Sequence, residues 1–231
     1  MYEGNQYPLR DYLKDNHVAA WESISKSGPF WTGADRVAMA KESRLALECE
    51  LCKQRKVALS PNMVGGTHDS DSHLPLVIID AIHRLVSDPA RYTKSVFDRV
   101  IESGITVEQY VEMVGVVSAT VIIDGTHRAV SQALPMLPEG EEEPPLGQTP
   151  TMTVEDGAWV PLAPRDNQVN SVGIPNSANI LRSMGSVPDA VELFFRVFRS
   201  HYLVVGSPID LPRSQMEYIA ARVSAVNECF Y

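Results

Sequence analysis

The sequence predicts an all-α fold, with a first unit of about four helices and a C-terminal unit of about three. Apolar residues recur at three- and four-residue steps through most of the chain, the mark of helices with one buried face. Glycine, proline and polar runs interrupt that pattern at only a few places, which mark the loops. No strand pattern competes, since Leu203 to Val205 is too short and is stopped by Gly206. These signals divide the chain into an N-terminal segment (1–31), a helical unit (32–134), a Pro- and Glu-rich linker or strap (135–172) and a C-terminal helical unit (173–231).

From Thr32 to Leu59 there is no Gly or Pro after Gly33, and Val37, Ala40, Leu47 and Leu51 share a helical stripe. This predicts one helix of about seven turns at ~3.6 residues each. A loop follows with Pro61, Gly65, Gly66 and the polar run Thr67 to Ser72. Leu74, Ile78, Ile82 and Leu85 then form a second stripe that ends near Asp88-Pro89, and a shorter helix runs from Thr93 to Ser103, stopped by Gly104. Thr106 with Gln109 has the capping-box form and opens a long helix through Val111, Val114, Val117 and Val121 toward Leu134. That helix is apolar on most of its surface, so it is expected at the centre, covered by the others or by a second subunit. Pro135 to Pro164 contains seven prolines and the acidic run Glu139 to Glu143, which cannot continue a helix, although Ala158 to Pro161 is apolar enough to dock as an extended strap. Helical patterning resumes over Ala178 to Met184, Pro188 to Val204 and Pro212 to Tyr231.

Of 231 residues, 44% are hydrophobic and 21% charged, enough apolar surface for one large core or two small ones. A formal net charge of −9 with no basic run repels a phosphate backbone, so nucleic acid is not an expected partner. The longest uncharged apolar stretch, Met113 to Ile123, has 11 residues, short of the ~18 needed to span a bilayer, so no membrane partner is expected either. The first residues show no basic stretch followed by an apolar run, and a cytoplasmic location is the expectation.

Three cysteines are too few, and odd in number, for a disulfide framework, so the thiols are expected to be reduced and catalytic, metal-binding or simply buried. Cys49-Glu-Leu-Cys52 stands out, because C-x-x-C spacing near the end of a helix puts both sulfurs on one face, close enough for a small-loop disulfide. Lys53, Arg55 and Lys56 follow, and Lys56 one turn beyond Cys52 would favour its thiolate. Three readings stay open on the residues alone. One is a redox dithiol; another is a zinc site completed by His68 and His73 of the next loop; the third is a pair of small thiols filling a helix interface.

The helix ending in C-x-x-C, the His- and Pro-containing loop, the segment DAIHRLVSDP and the segment ESGITVEQYVEMVGVVSATVIIDGTHRAV together resemble the alkylhydroperoxidase D and carboxymuconolactone decarboxylase superfamily over about residues 32 to 134. The C-terminal SQMEYIAARVSAVNECFY is similar to a partial second copy, with Glu217 twelve residues before Cys229 and with Asn227 and Tyr231 fitting the same signature. The resemblance implies an alkylhydroperoxidase D-like helical fold and thiol-dependent reduction of a small-molecule peroxide or disulfide. In that chemistry Cys52 attacks, Cys49 resolves, a Glu and a His relay protons, and no metal or organic cofactor takes part. The relay departs from the pattern, because Val37 stands twelve before Cys49 and Lys56 four after Cys52.

His127 lies three residues after Asp124 on the long helix, so the two can hydrogen-bond, and His127 would replace the missing relay base if that helix packs on the cysteine helix. His83, beside an apolar stripe, reads as structural, whereas His68 and His73 bracket a polar loop that can border a site. Two other functions remain: a decarboxylase-like acid–base enzyme using His127, and a non-catalytic helical scaffold. The apolar long helix also leads to the expectation of a homo-oligomer.

Overall fold

The computed structural model describes residues 1–4, 6–149, 151–166, 178–202 and 210–226. Among them the regular structure is helical: α1 (Asp11–Ser25), α2 (Gly33–Leu45), α3 (Glu50–Val57), α4 (Leu76–Ser87), α5 (Lys94–Glu102), α6 (Val107–Ala129), α7 (Asn179–Met184), α8 (Pro188–His201) and α9 (Arg213–Val226). The one β pairing in the described residues is an isolated antiparallel bridge between Val154 and Leu162. The all-α expectation therefore holds. Cys229, Asn227, Tyr231 and Leu203 to Val205 lie outside the described residues.

Helix α6 starts as its sequence dictates, since the Thr106 hydroxyl accepts the Gln109 amide while the Gln109 side chain accepts the Thr106 amide. It stops at Ala129 rather than near Leu134, because Ser131 adopts a left-handed backbone (φ 56°) that turns the chain away. Met113, Val116, Ala119 and Ile123 of α6 form one core with Ala20 and Ile24 of α1, Met39 of α2, Ile78 and Ile82 of α4, and Leu193 and Val197 of α8. Burial of each such aliphatic side chain contributes roughly 1.5–3 kcal/mol. The cover for the apolar central helix thus comes from within the chain, α8 included. Gly115 allows α8 this close, for a Cβ there would sit 2.9 Å from the Ala190 Cβ.

The N-terminal segment contains a full helix, α1, whose Leu13, His17, Ala20, Trp21 and Ile24 are all buried at helical spacing. One expectation needs correction. The single helix predicted over Thr32 to Leu59 is two helices. α2 ends at Leu45, residues 46–48 turn, and Cys49 (φ −60°, ψ 126°) becomes the N-cap of α3. No Gly or Pro marks this break; side chains from distant parts of the chain stabilise it. Asp69 accepts the first amide of α3 (Glu50 N to Oδ2, 2.9 Å), and the Arg91 guanidinium donates to the terminal carbonyls of Lys56 (2.7 Å) and Ala58 (2.6 Å). Leu47, assigned by periodicity to the buried stripe, is exposed.

The described part of the Pro- and Glu-rich segment, residues 135–149 and 151–166, is extended and laid on the surface. Its charged side chains face solvent, but its backbone is paired: Glu141 N donates to Ser25 O (2.8 Å), Ala34 N to Glu141 O (2.9 Å) and Leu146 N to Gly28 O (2.9 Å). The crossing is tight, since a Cβ on Gly140 would lie 2.6 Å from the backbone of Ala34. The Trp21 indole N–H donates to Met136 O (2.9 Å), and Val160 packs against the core.

Candidate functional site

The break between α2 and α3 is what builds the site. With Cys49 at the N-cap and Cys52 in the first turn of α3, both sulfurs point inward and are almost inaccessible (1% and 3% exposed). Leu51 and Val64 pack around them, and Leu51 closes on Gly66 so tightly that a Cβ there would meet its Cδ1 at 3.0 Å. α4 adds polar groups on the edge of its apolar stripe. Ile78, Ile79 and Ile82 enter the core, while Asp80, His83 and Arg84 turn toward the cysteines and the loop before α4. That loop, residues 64–74, contributes His68, Asp69 and Ser70.

Four side chains converge: Cys49, Cys52, His68 and His83, whose sulfurs and one nitrogen from each ring all lie within 4.8 Å of one another. Nδ1 of His83 is 3.3 Å from the Cys52 sulfur, and Nδ1 of His68 is 3.5 Å from Cys49 and 3.7 Å from Cys52. Each ring is held from behind by a carboxylate. His83 Nε2 donates to Glu42 at 2.9 Å and His68 Nε2 donates to Asp80 at 2.9 Å. Glu42 and His83 are fully buried, and the second Glu42 oxygen accepts the Ser70 hydroxyl (2.9 Å). Asp80 also accepts Arg55 (2.6 Å) and Arg84 (2.8 Å), so the carboxylate behind His68 is fixed on both oxygens.

These contacts set the charge states. Burial opposes the Cys52 thiolate, yet hydrogen bonds from His68 and His83 and the charge of His83 bring it down to about 6. Burial likewise opposes protonated histidine, but Asp80 and the thiols raise His68 to about 10, and Cys52 and Glu42 raise His83 to about 9. The Cys49 thiol is lowered; burial raises it, and backbone amides of Asp69 and Cys52 together with His68 outweigh that. The arrangement therefore favours a thiolate at Cys52 and protonated rings at His68 and His83, each ring backed by a carboxylate.

Lys56, to which the sequence assigns the stabilising charge, is exposed; the cations at the sulfurs are the two histidines, with Arg55 behind His68. His127 is not among the four convergent residues. Its Nδ1 donates to Ala133 O (2.7 Å), its ring stacks on Tyr2 (4.3 Å between centroids), and Asp124 is held instead by Arg44 (2.8 and 2.9 Å). His73 pairs with Asp35 at the surface. Val37 packs against the core. The carboxylate and the histidine nearest Cys52 are instead Glu42 of α2 and His83 of α4, linked to each other at 2.9 Å and to the sulfur at 3.3 Å. The available signal was D-x-x-H-R in α4, three polar residues interrupting an otherwise apolar helix.

Two spaces border the cluster. A crevice of about 10 Å³ lined by Cys52, Pro61, Ser87 and Arg91 has room for roughly one water-sized molecule. On the other side of His68 lies a cavity of about 710 Å³ lined by Arg55, Gly66, His68, Asp80, Arg84 and Arg99. No family model, no curated protein and no solved structure matches the chain.

Proposed function

We propose that the chain is a thiol-dependent oxidoreductase that reduces small peroxides through Cys52 and Cys49, as the resemblance to alkylhydroperoxidase D-like proteins implies. The observation that carries this reading is the buried chain Glu42–His83–Cys52, with links of 2.9 and 3.3 Å and the second thiol adjacent. A nucleophile, a proton-carrying group in contact with it and a third group that orients the second are the parts covalent thiol chemistry requires. The Cys52 thiolate attacks one peroxide oxygen, the O–O bond breaks, and the departing oxygen takes a proton from His83. Cys52 is left as a sulfenic acid. Cys49, within 4.8 Å, attacks that sulfur, water leaves, and the disulfide holds the two electrons the peroxide has withdrawn. A dithiol reductant restores the pair by exchange. A decarboxylase-like reading through His127 gains no support from a ring tied to Ala133 O and stacked on Tyr2.

The test is peroxide consumption by reduced, chelator-treated protein with dithiothreitol as electron donor. Cys52→Ser should abolish consumption while keeping the fold, because a hydroxyl is close in size and barely ionised at neutral pH. Equal consumption by wild type and Cys52→Ser removes the proposal.

A further inference from the structure

We propose that the reduced protein binds one Zn2+ through Cys49, Cys52, His68 and His83, a site with two thiolate and two imidazole ligands. The inference needs only reduced thiols and stands whether or not they consume peroxide.

Distance is the first support. Tetrahedral zinc with Zn–S of about 2.3 Å and Zn–N of about 2.0–2.1 Å has ligand-to-ligand edges of about 3.6 Å between S and N, set by the bond lengths alone. Three of the four S···N separations are 3.3, 3.5 and 3.7 Å, and the fourth, from Cys49 to His83, lies within 4.8 Å. The three measured edges match those of such a tetrahedron, and all four donor atoms lie within 4.8 Å of one another.

Orientation is the second. Both rings turn Nδ1 inward and give Nε2 to a carboxylate, Glu42 for His83 and Asp80 for His68. A carboxylate accepts, so each Nε2 keeps its hydrogen, and a cation that displaces the Nδ1 proton meets a lone pair aimed at the centre. This is the carboxylate–histidine–metal arrangement, in which the outer partner fixes tautomer and direction. Buried thiols at a helix interface require nothing of the kind, and a single redox relay requires it once; here it is built twice, from two separate segments.

Selectivity follows from the donor set. Two sulfurs and two imidazoles suit Zn2+ and exclude Mg2+ and Ca2+, which take oxygen ligands. With four protein ligands the coordination sphere is closed, as in structural zinc sites. Bound zinc would occupy the Cys52 sulfur and His83 Nδ1 together, so it would shield the thiols, and a Cys49–Cys52 disulfide would eject it. The sequence reading of a metal-free site, and its zinc alternative with His73, differ from this set, since His73 is turned away to Asp35 and His83 takes its place.

Co2+ serves as the spectroscopic probe and Zn2+ as the competitor, on full-length protein reduced with a phosphine and stripped with chelator. One Co2+ per chain should bind with the intense visible bands of a tetrahedral ion and a thiolate-to-cobalt charge-transfer band, and one equivalent of Zn2+ should erase both. Cys49→Ser and Cys52→Ser should each weaken the charge-transfer band. His68→Gln should lower Zn2+ affinity at least tenfold, and Asp80→Asn, which touches no metal, by about 10–100-fold. Protein oxidised to the disulfide should bind none. An octahedral cobalt spectrum, or zinc stoichiometry unchanged in the Cys49→Ser/Cys52→Ser double variant, overturns the proposal. Peroxide consumption by the metal-free protein is read separately, so failure of one reading leaves the other intact.

Discussion

Glu42→Gln isolates what the buried carboxylate adds to Cys52. Glu42 is fully buried and accepts two hydrogen bonds, from His83 Nε2 and from Ser70 Oγ, both at 2.9 Å. A glutamine fits the same volume. Its Oε1 can accept from His83 while its amide donates to the Ser70 oxygen, so no buried group loses its partner and the fold should survive. What disappears is the charge. A hydrogen bond to a charged group contributes about 1.5–3 kcal/mol and a neutral one about 0.5–1.5, so the imidazolium of His83 loses roughly 1.4 kcal/mol of support. That corresponds to about a tenfold fall in the rate of a step that needs His83 to hold and deliver a proton. The assay is the initial rate of peroxide consumption with dithiothreitol and chelator present, alongside urea unfolding to show that stability has moved by no more than ~1 kcal/mol. A Glu42→Gln rate within twofold of wild type, with Cys52→Ser inactive, refutes a relay that runs through Glu42.

Two further outcomes test the frame around the site. Gly140→Ala places a Cβ 2.6 Å from the Ala34 backbone where ordinary contact is at least 3.4 Å, so the strap must lift and strain its bonds to Ser25 and Ala34. A loss of about 2 kcal/mol or more in urea unfolding is expected, and a change below ~0.5 kcal/mol would mean the strap does not hold this course in solution. His17 is buried between Tyr2 and His201, and burial, then the charges of His201 and His127, press its pKa down to about 3. A depressed folded value gives stability that is complete above the unfolded value of about 6.5 and declines as pH falls toward about 3, at ~1.4 kcal/mol per unit. Between pH 7 and 5 the wild type should therefore lose about 2 kcal/mol more than His17→Gln, and parallel losses in the two proteins would sink the assignment.

Local chemistry made much of the scaffold legible. The Thr106–Gln109 box, the stop at Gly104 and the Ile78–Ile82 stripe each act over a few residues, and α4, α5 and the start of α6 lie where those signals put them. The cysteine spacing likewise marked the site. The rest depends on partners far apart in sequence. Asp69 and Arg91 hold α3 apart from α2 across gaps of 19 and more than 30 residues, and nothing between Leu45 and Cys49 announces the break. His83 reads as structural in the sequence because its neighbours are apolar, yet the turn that buries Ile82 in the core is what presents His83 to a sulfur 31 residues away. Periodicity reports that a face is buried; it does not report what another helix has placed against it.

The two proposed chemistries, thiol redox and zinc binding, would draw on the same lone pairs of the same four side chains. An inward Nδ1 backed by a carboxylate at Nε2 is a proton carrier when the centre holds a hydrogen and a metal ligand when it holds a cation. What separates the states is the oxidation level of sulfur. With both thiols reduced, Cys49 and Cys52 present two anionic donors at the start of α3, and a thiophilic cation satisfies them together with both histidines. A disulfide removes the negative charge from both sulfurs, and two imidazoles alone are a weak site. If both proposals hold, an oxidant should act on the metal-free protein first, and the zinc-loaded protein should consume peroxide only as fast as zinc leaves.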